Sequence, residues 1–174
     1  AEGMVYHRGM ASRGLDAFLG ESGGIAAVLR SMRVHLKDSN VQAMGCWSLV
    51  NLALNHQQKL ALLALDGLDA VLAAMAHHPS TLEVQFRALF ALINLVIPEA
   101  GSVSTNTMDC GENAAHARVV RGVLAAMRHF PESEKLVRCG CLVLHNLSLD
   151  DKNVPHLLAF GVARPLQRAA RSHK

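Results

Sequence analysis

Apolar residues recur along this chain at helical spacing, and that pattern itself recurs at a longer period. Ile25, Val28, Leu29 and Met32 stand at i, i+3, i+4 and i+7, the spacing of one buried helix face. Leu68, Val71, Leu72 and Met75 repeat it, and Val119, Val120, Val123, Leu124 and Met127 give it a third time. Each short apolar segment is followed by a polar turn and a longer helix. Lys37-Asp38-Ser39-Asn40 makes the first turn and offers Ser39 or Asn40 as a helix cap. His77 to Thr81 makes the second, and Pro131 marks the third. The long helices are predicted over 41–55, 84–96 and 135–149, and each carries a near-copy of one motif. The copies read MGCWSLVNLA from Met44, RALFALINLV from Arg87 and CGCLVLHNLS from Cys139.

Two landmarks fix the register. Met32, Met75 and Met127 each precede an Asn (Asn51, Asn94, Asn146) by 19 residues, whereas the methionines are spaced by 43 and then 52 residues. A constant inner offset with a variable outer spacing means one repeated unit with about nine residues inserted between two copies. The insertion falls in 97–113, which lacks periodicity, is rich in Gly, Ser, Thr and Asn, and reads as a long loop begun by Pro98. A third helix closes the first unit over 57–65, and Gly67 suits a helix C-terminus that needs positive φ. Residues 1–14 read as a tail, and 15–24 as the end of an incomplete unit, the counterpart of 58–67. The expected division is therefore a tail over 1–14 and a repeat domain over 15–174. Its units span about 24–66, 67–113 and 114–160, with a partial unit over 161–174 that opens at Gly161, the counterpart of Gly67. Incomplete end units would expose an apolar face unless a cap or partner covers it.

Composition agrees with close-packed helices. Of the 174 residues 51% are hydrophobic but only 4% aromatic, with Leu, Ala, Val and Met dominant. The net charge of +3 is spread thinly, so it does not mark a nucleic-acid surface. The exception is a basic cluster at Arg164, Arg168, Arg171 and Lys174. Four cysteines form no disulfide framework and point to a reducing, intracellular compartment, cytoplasmic or nuclear. No signal peptide is expected, and the longest apolar run, 88–97, is too short to span a bilayer. The chain opens on Ala1, as a processed protein or a piece of a longer one would.

Catalytic chemistry finds no footing. His77 and His78 are adjacent in a turn and do not converge on one metal. Cys139 and Cys141 point apart on a helix, and only Cys141 and His145 share a face. No phosphate loop, dinucleotide glycine pattern or nucleophile motif occurs, so neither catalytic residues, metal nor cofactor is expected. Asn146-Leu147-Ser148 is formally a glycosylation sequon but lies within a helix of a repeat core.

The repeated Asn offers more. Trp47 and Asn51 are four apart and share a helix face, as do Phe90 with Asn94 and Leu142 with Asn146. Stacked side by side, these pairs would line one surface with amides and apolar walls. Arg87 stands one helical step out, able to meet an acidic partner residue or simply to be solvated. The Asn residues fit a structural role equally, since a buried amide needs partners.

The motif, the Gly-hydrophobic turn before each unit and the period of about 40–47 residues resemble armadillo repeats over residues 15–170. The resemblance implies an all-α, right-handed solenoid of about three repeats with incomplete units at both ends. It also implies a concave groove in which Asn51, Asn94 and Asn146 clamp the main chain of an extended peptide. Partner side chains would lie between the walls formed by Trp47, Phe90 and Leu142, with Arg87 alongside. The expected function is thus a non-catalytic protein-interaction module whose partner is a protein or peptide. One alternative is an assembly subunit of a larger complex, using the solenoid ends and the 97–113 loop. Another is nucleic-acid binding through the basic C-terminal cluster.

Overall fold

The computed structural model describes residues 23–97 and 110–172, which form nine helices and no strand. The predicted tail, residues 15–22 of the incomplete unit predicted over 15–24 and most of the predicted loop lie outside the described residues. The described chain is all-α.

The first unit contains α1 (Gly24–Val34), α2 (Ser39–Leu52) and α3 (His56–Ala64). α1 buries Ile25, Leu29 and Met32, the face its spacing predicts. The cap of α2 is Asp38 rather than Ser39 or Asn40: its carboxylate accepts from the Asn40 and Val41 amides at 2.9 and 3.1 Å. α2 also stops three residues short of the predicted 55, because Asn55 turns outward to cap α3 and accepts from the Gln58 amide.

The second unit has α4 (Gly67–His77) and α5 (Leu82–Leu95), and the third has α6 (Cys110–His129), α7 (Glu134–Ser148) and α8 (Asn153–Ala159). α6 begins inside the span read as loop, four residues before the predicted resumption at Ala114. α9 (Ala163–Ser172) opens the partial unit.

The turn before each unit differs from expectation in one respect. The left-handed residue is Asp66 (φ 60°), not Gly67, which instead opens α4. Gly67 is required for a different reason: a Cβ there would lie 2.7 Å from the Leu62 carbonyl oxygen. The left-handed positions are therefore Gly23, Asp66 and Gly161, and Gly161 matches Asp66 rather than Gly67.

Within a unit, the first helix packs on the second: α1 on α2, α4 on α5, α6 on α7. Between units, like packs on like. α2, α5 and α7 form one row, and α1, α4, α6 and α9 form another. The landmark methionines sit between the rows, all buried. Met32 and Met127 lie directly against Gly45 and Gly140, which leave room for the thioether. A second device recurs ten residues after the Met. Gln42 Nε2 donates to the carbonyls of Met32 (2.8 Å) and His35 (2.9 Å), and Gln85 Nε2 to those of Met75 (2.7 Å) and His78 (2.9 Å). Each amide closes the turn between two helices by satisfying carbonyls that the helix end leaves over. In the third unit Val137 takes this place.

Among the described residues, no single helix is long and apolar enough to cross a membrane. α3 and α4 together have the composition, but they are bent by 68° where Asp66 turns left-handed.

Candidate functional site

The second-helix row carries the predicted residues. Trp47 on α2 and Phe90 on α5 occupy equivalent turns of neighbouring helices, and their rings lie parallel, 6.0 Å between centroids and 12° between planes. Phe86, one turn before Phe90, continues the stack at 6.1 Å and 13°. Where the resemblance implies partner side chains between the aromatic walls, Trp47 and Phe90 lie ring against ring. What they present is a continuous aromatic strip. Phe90 is 37% exposed and Trp47 half-buried, so the strip is open along one edge. Leu142 extends the line on α7 and is 42% exposed.

Arg87 lies across this strip. Its guanidinium carbon is 5.7 Å from the Trp47 ring centroid, a cation–π contact. The same group pairs with Glu83 at 2.6 Å and approaches Met44 Sδ at 3.0 Å. The cation-binding face of Trp47 is thus already occupied by the chain's own Arg. Met44 is exposed beside it and adds a flexible apolar surface.

The three Asn residues are not equivalent. Asn94 Nδ2 donates across the row to the Val50 carbonyl (3.2 Å), and Asn146 Nδ2 to the Ile93 carbonyl (3.0 Å). In both cases the acceptor is the residue just before the preceding unit's Asn. These donors stitch one long helix to the one before it. Asn146 is buried and Asn94 half-buried, while Asn51 is exposed and turns back to its own Trp47 carbonyl at 3.2 Å. The row of amides therefore presents Asn51 most openly.

Sequence reasoning missed Phe86 and Glu83. Both were available as i, i+4 partners, of Phe90 and Arg87. It also missed Gln42 and Gln85, whose signal was the constant ten-residue offset from Met32 and Met75.

Cys46 and Cys139 are buried packing groups, and Cys141 is half-buried. Burial pushes the Cys46 thiol from an ordinary value of 9.0 up to about 12, against a smaller downward pull from the Arg87 charge. Cys139 and Cys141 are raised for the same first reason. No group of three or more His, Cys, Asp or Glu that could hold a metal occurs among the described residues.

No family model matches the chain. An alignment 89 positions long that covers 46% of the chain is 31% identical to Protein aardvark of Dictyostelium discoideum. The chain spans about one eighth (12%) of the length of that protein. No solved structure matches.

Proposed function

We propose that this chain is an armadillo-like α-solenoid that acts by binding a protein partner along the α2–α5–α7 face and catalyses no reaction. The observation that carries the reading is the Trp47–Phe90–Phe86 strip. Three aromatic rings, flanked by exposed Met44 and Leu142, form an elongated apolar surface across neighbouring helices. Part-exposed aromatics beside an ordered Arg are the composition of a binding hot spot. Two further features support the solenoid: like-on-like packing of successive units, and Asn stitches that recur at one register.

The chemistry of the strip selects the partner. Arg87 already occupies the Trp47 face, so a partner's Lys or Arg gains little there. An extended segment with apolar side chains would cover the rings, and Asn51 is placed to bond its main chain.

The test is a selection from a random peptide library on the wild-type protein, with binders re-measured on Phe90→Ala and Asn51→Ala. Both variants are first checked for folding by thermal melting. The reading expects apolar peptides that lose about tenfold or more in affinity on Phe90→Ala. If the selected peptides bind both folded variants as tightly as wild type, the α2–α5–α7 face is not the binding surface.

A further inference from the structure

A second surface stands apart from the aromatic strip, on the first-helix row. The row contains two equivalent crevices, one where the second unit meets the third and one where the third meets the partial unit. The first lies between α4 and α6, with Met75, Pro79 and Gln85 on one side and Arg121, Gly122 and Ala125 on the other; its volume is about 510 Å³. The second lies where α6 and α7 meet α9, is about 220 Å³, and uses Met127, Pro131, Val137, Arg164, Pro165 and Arg168 together with Arg128. Position by position these correspond. Met127 takes the place of Met75, Pro131 of Pro79, Val137 of Gln85, Arg164 of Arg121 and Arg168 of Ala125. Arg128 stands where the first crevice has Ala76.

Three changes between the crevices share one direction. Two alanines become arginines at the rim, and the polar amide on the floor becomes Val137. The cations are also treated differently. In the first crevice Arg118 pairs with Asp69 at 2.8 Å, and Arg121 lies 5.8 Å over the Phe160 ring. In the second, Arg128, Arg164 and Arg168 are all exposed, none makes an ion pair among the described residues, and no acidic residue lines the crevice. Three guanidinium groups are gathered around an apolar floor with no counter-charge in the crevice. An anion bound between them would supply that counter-charge.

We propose that this second crevice docks an acidic peptide segment of a partner protein, with one aliphatic side chain seated on Met127, Pro131 and Val137. Carboxylates on either side of that residue would pair with Arg128, Arg164 and Arg168 in the forked geometry that guanidinium favours. The volume is below the roughly 300–1,000 Å³ of small-molecule sites, so the crevice takes a side chain rather than a whole cofactor. A nucleic-acid strand fits less well, because no aromatic ring lines the crevice to stack a base. The proposal does not depend on the aromatic strip.

The probe is a short fluorescein-labelled peptide of aspartate and glutamate with one central leucine, measured by anisotropy at physiological ionic strength. Its control carries serine for the leucine. The wild-type protein is expected to prefer the leucine peptide by about tenfold, the value of burying one aliphatic side chain. Arg164→Glu with Arg168→Glu should abolish binding of both peptides. Val137→Gln restores the residue type of the other two units, so the fold accommodates it, and it should erase most of the leucine preference without changing the charge. Equal binding of the two peptides, or an unchanged preference in Val137→Gln, overturns the proposal, as does absence of binding to wild type. A single-stranded oligonucleotide of the same charge that binds more tightly, and is lost in the double Arg variant, would reassign the site to nucleic acid. A wild-type dimer in size-exclusion chromatography that the double Arg variant dissolves would reassign it to a second copy of the chain.

Discussion

A single atom decides what residue 67 can be. A Cβ on Gly67 would meet the Leu62 carbonyl oxygen at 2.7 Å, and backbone cannot step aside. Gly67→Ala is therefore expected to cost about 2 kcal/mol and to lower the melting temperature by roughly 4–8 °C. Gly45 is the contrast. Its added Cβ would press on Met32 Cγ, Sδ and Cε, on a side chain that is fully buried but can shift where backbone cannot. The second unit already carries Ala88 at this place. A gain of about 1 kcal/mol in helix propensity offsets part of the crowding, so Gly45→Ala should lower the melting temperature less than Gly67→Ala does. Cys46 gives a residue-scale prediction in pH. Its folded thiol titrates at about 12, above the ordinary 9.0, because burial disfavours the thiolate. Above pH 9 the unfolded chain loses this proton while the folded chain keeps it, so stability is intact below that point and falls as pH rises toward 12. The slope contributed is at most about 1.4 kcal/mol per pH unit. Urea unfolding at a series of pH values should show a shallower alkaline decline in Cys46→Ala than in wild type, and an identical decline would mean the thiol is not shielded.

At the scale of elements, apolar periodicity located the helices well and side-chain bonding set their ends. The faces of α1, α4 and α6 were legible because Ile, Leu, Val and Met at helical spacing have no competing use. The end of α2 was not, since Asn55 fits a helix as readily as a cap until its bond to the Gln58 amide is seen. Gly67 was noticed for the wrong reason: sequence shows a glycine, but only the path of the backbone tells positive φ from close approach. The aromatic strip was half legible. Spacing put Trp47, Phe90 and Leu142 on one line, but not the ring-on-ring contact or Arg87 lying over Trp47. The Gln residues show how much a turn can rest on one side chain. Gln85→Val removes two bonds and leaves the Met75 and His78 carbonyls without that donor, which should cost roughly 1–3 kcal/mol in chemical denaturation. A cost near zero would show that water replaces the amide.

Across the whole molecule, contacts run mainly from each unit to its neighbours. A chain built this way stores stability in units and junctions, and damage stays local. Asn94→Ala loosens the first junction and Asn146→Ala the second. Hydrogen exchange should therefore quicken in α1 and α2 for Asn94→Ala while α8 keeps its protection; uniform acceleration through all helices would instead mean a single cooperative block. The stitches also have a sense of direction. Asn94 reaches back to Val50, and Asn146 back to Ile93. Neither reaches forward. During synthesis, each donor thus leaves the ribosome after its acceptor, and by then the earlier helix has had time to form. The chain can be laid down like courses of brick, each new long helix keyed by its Asn into the one beneath.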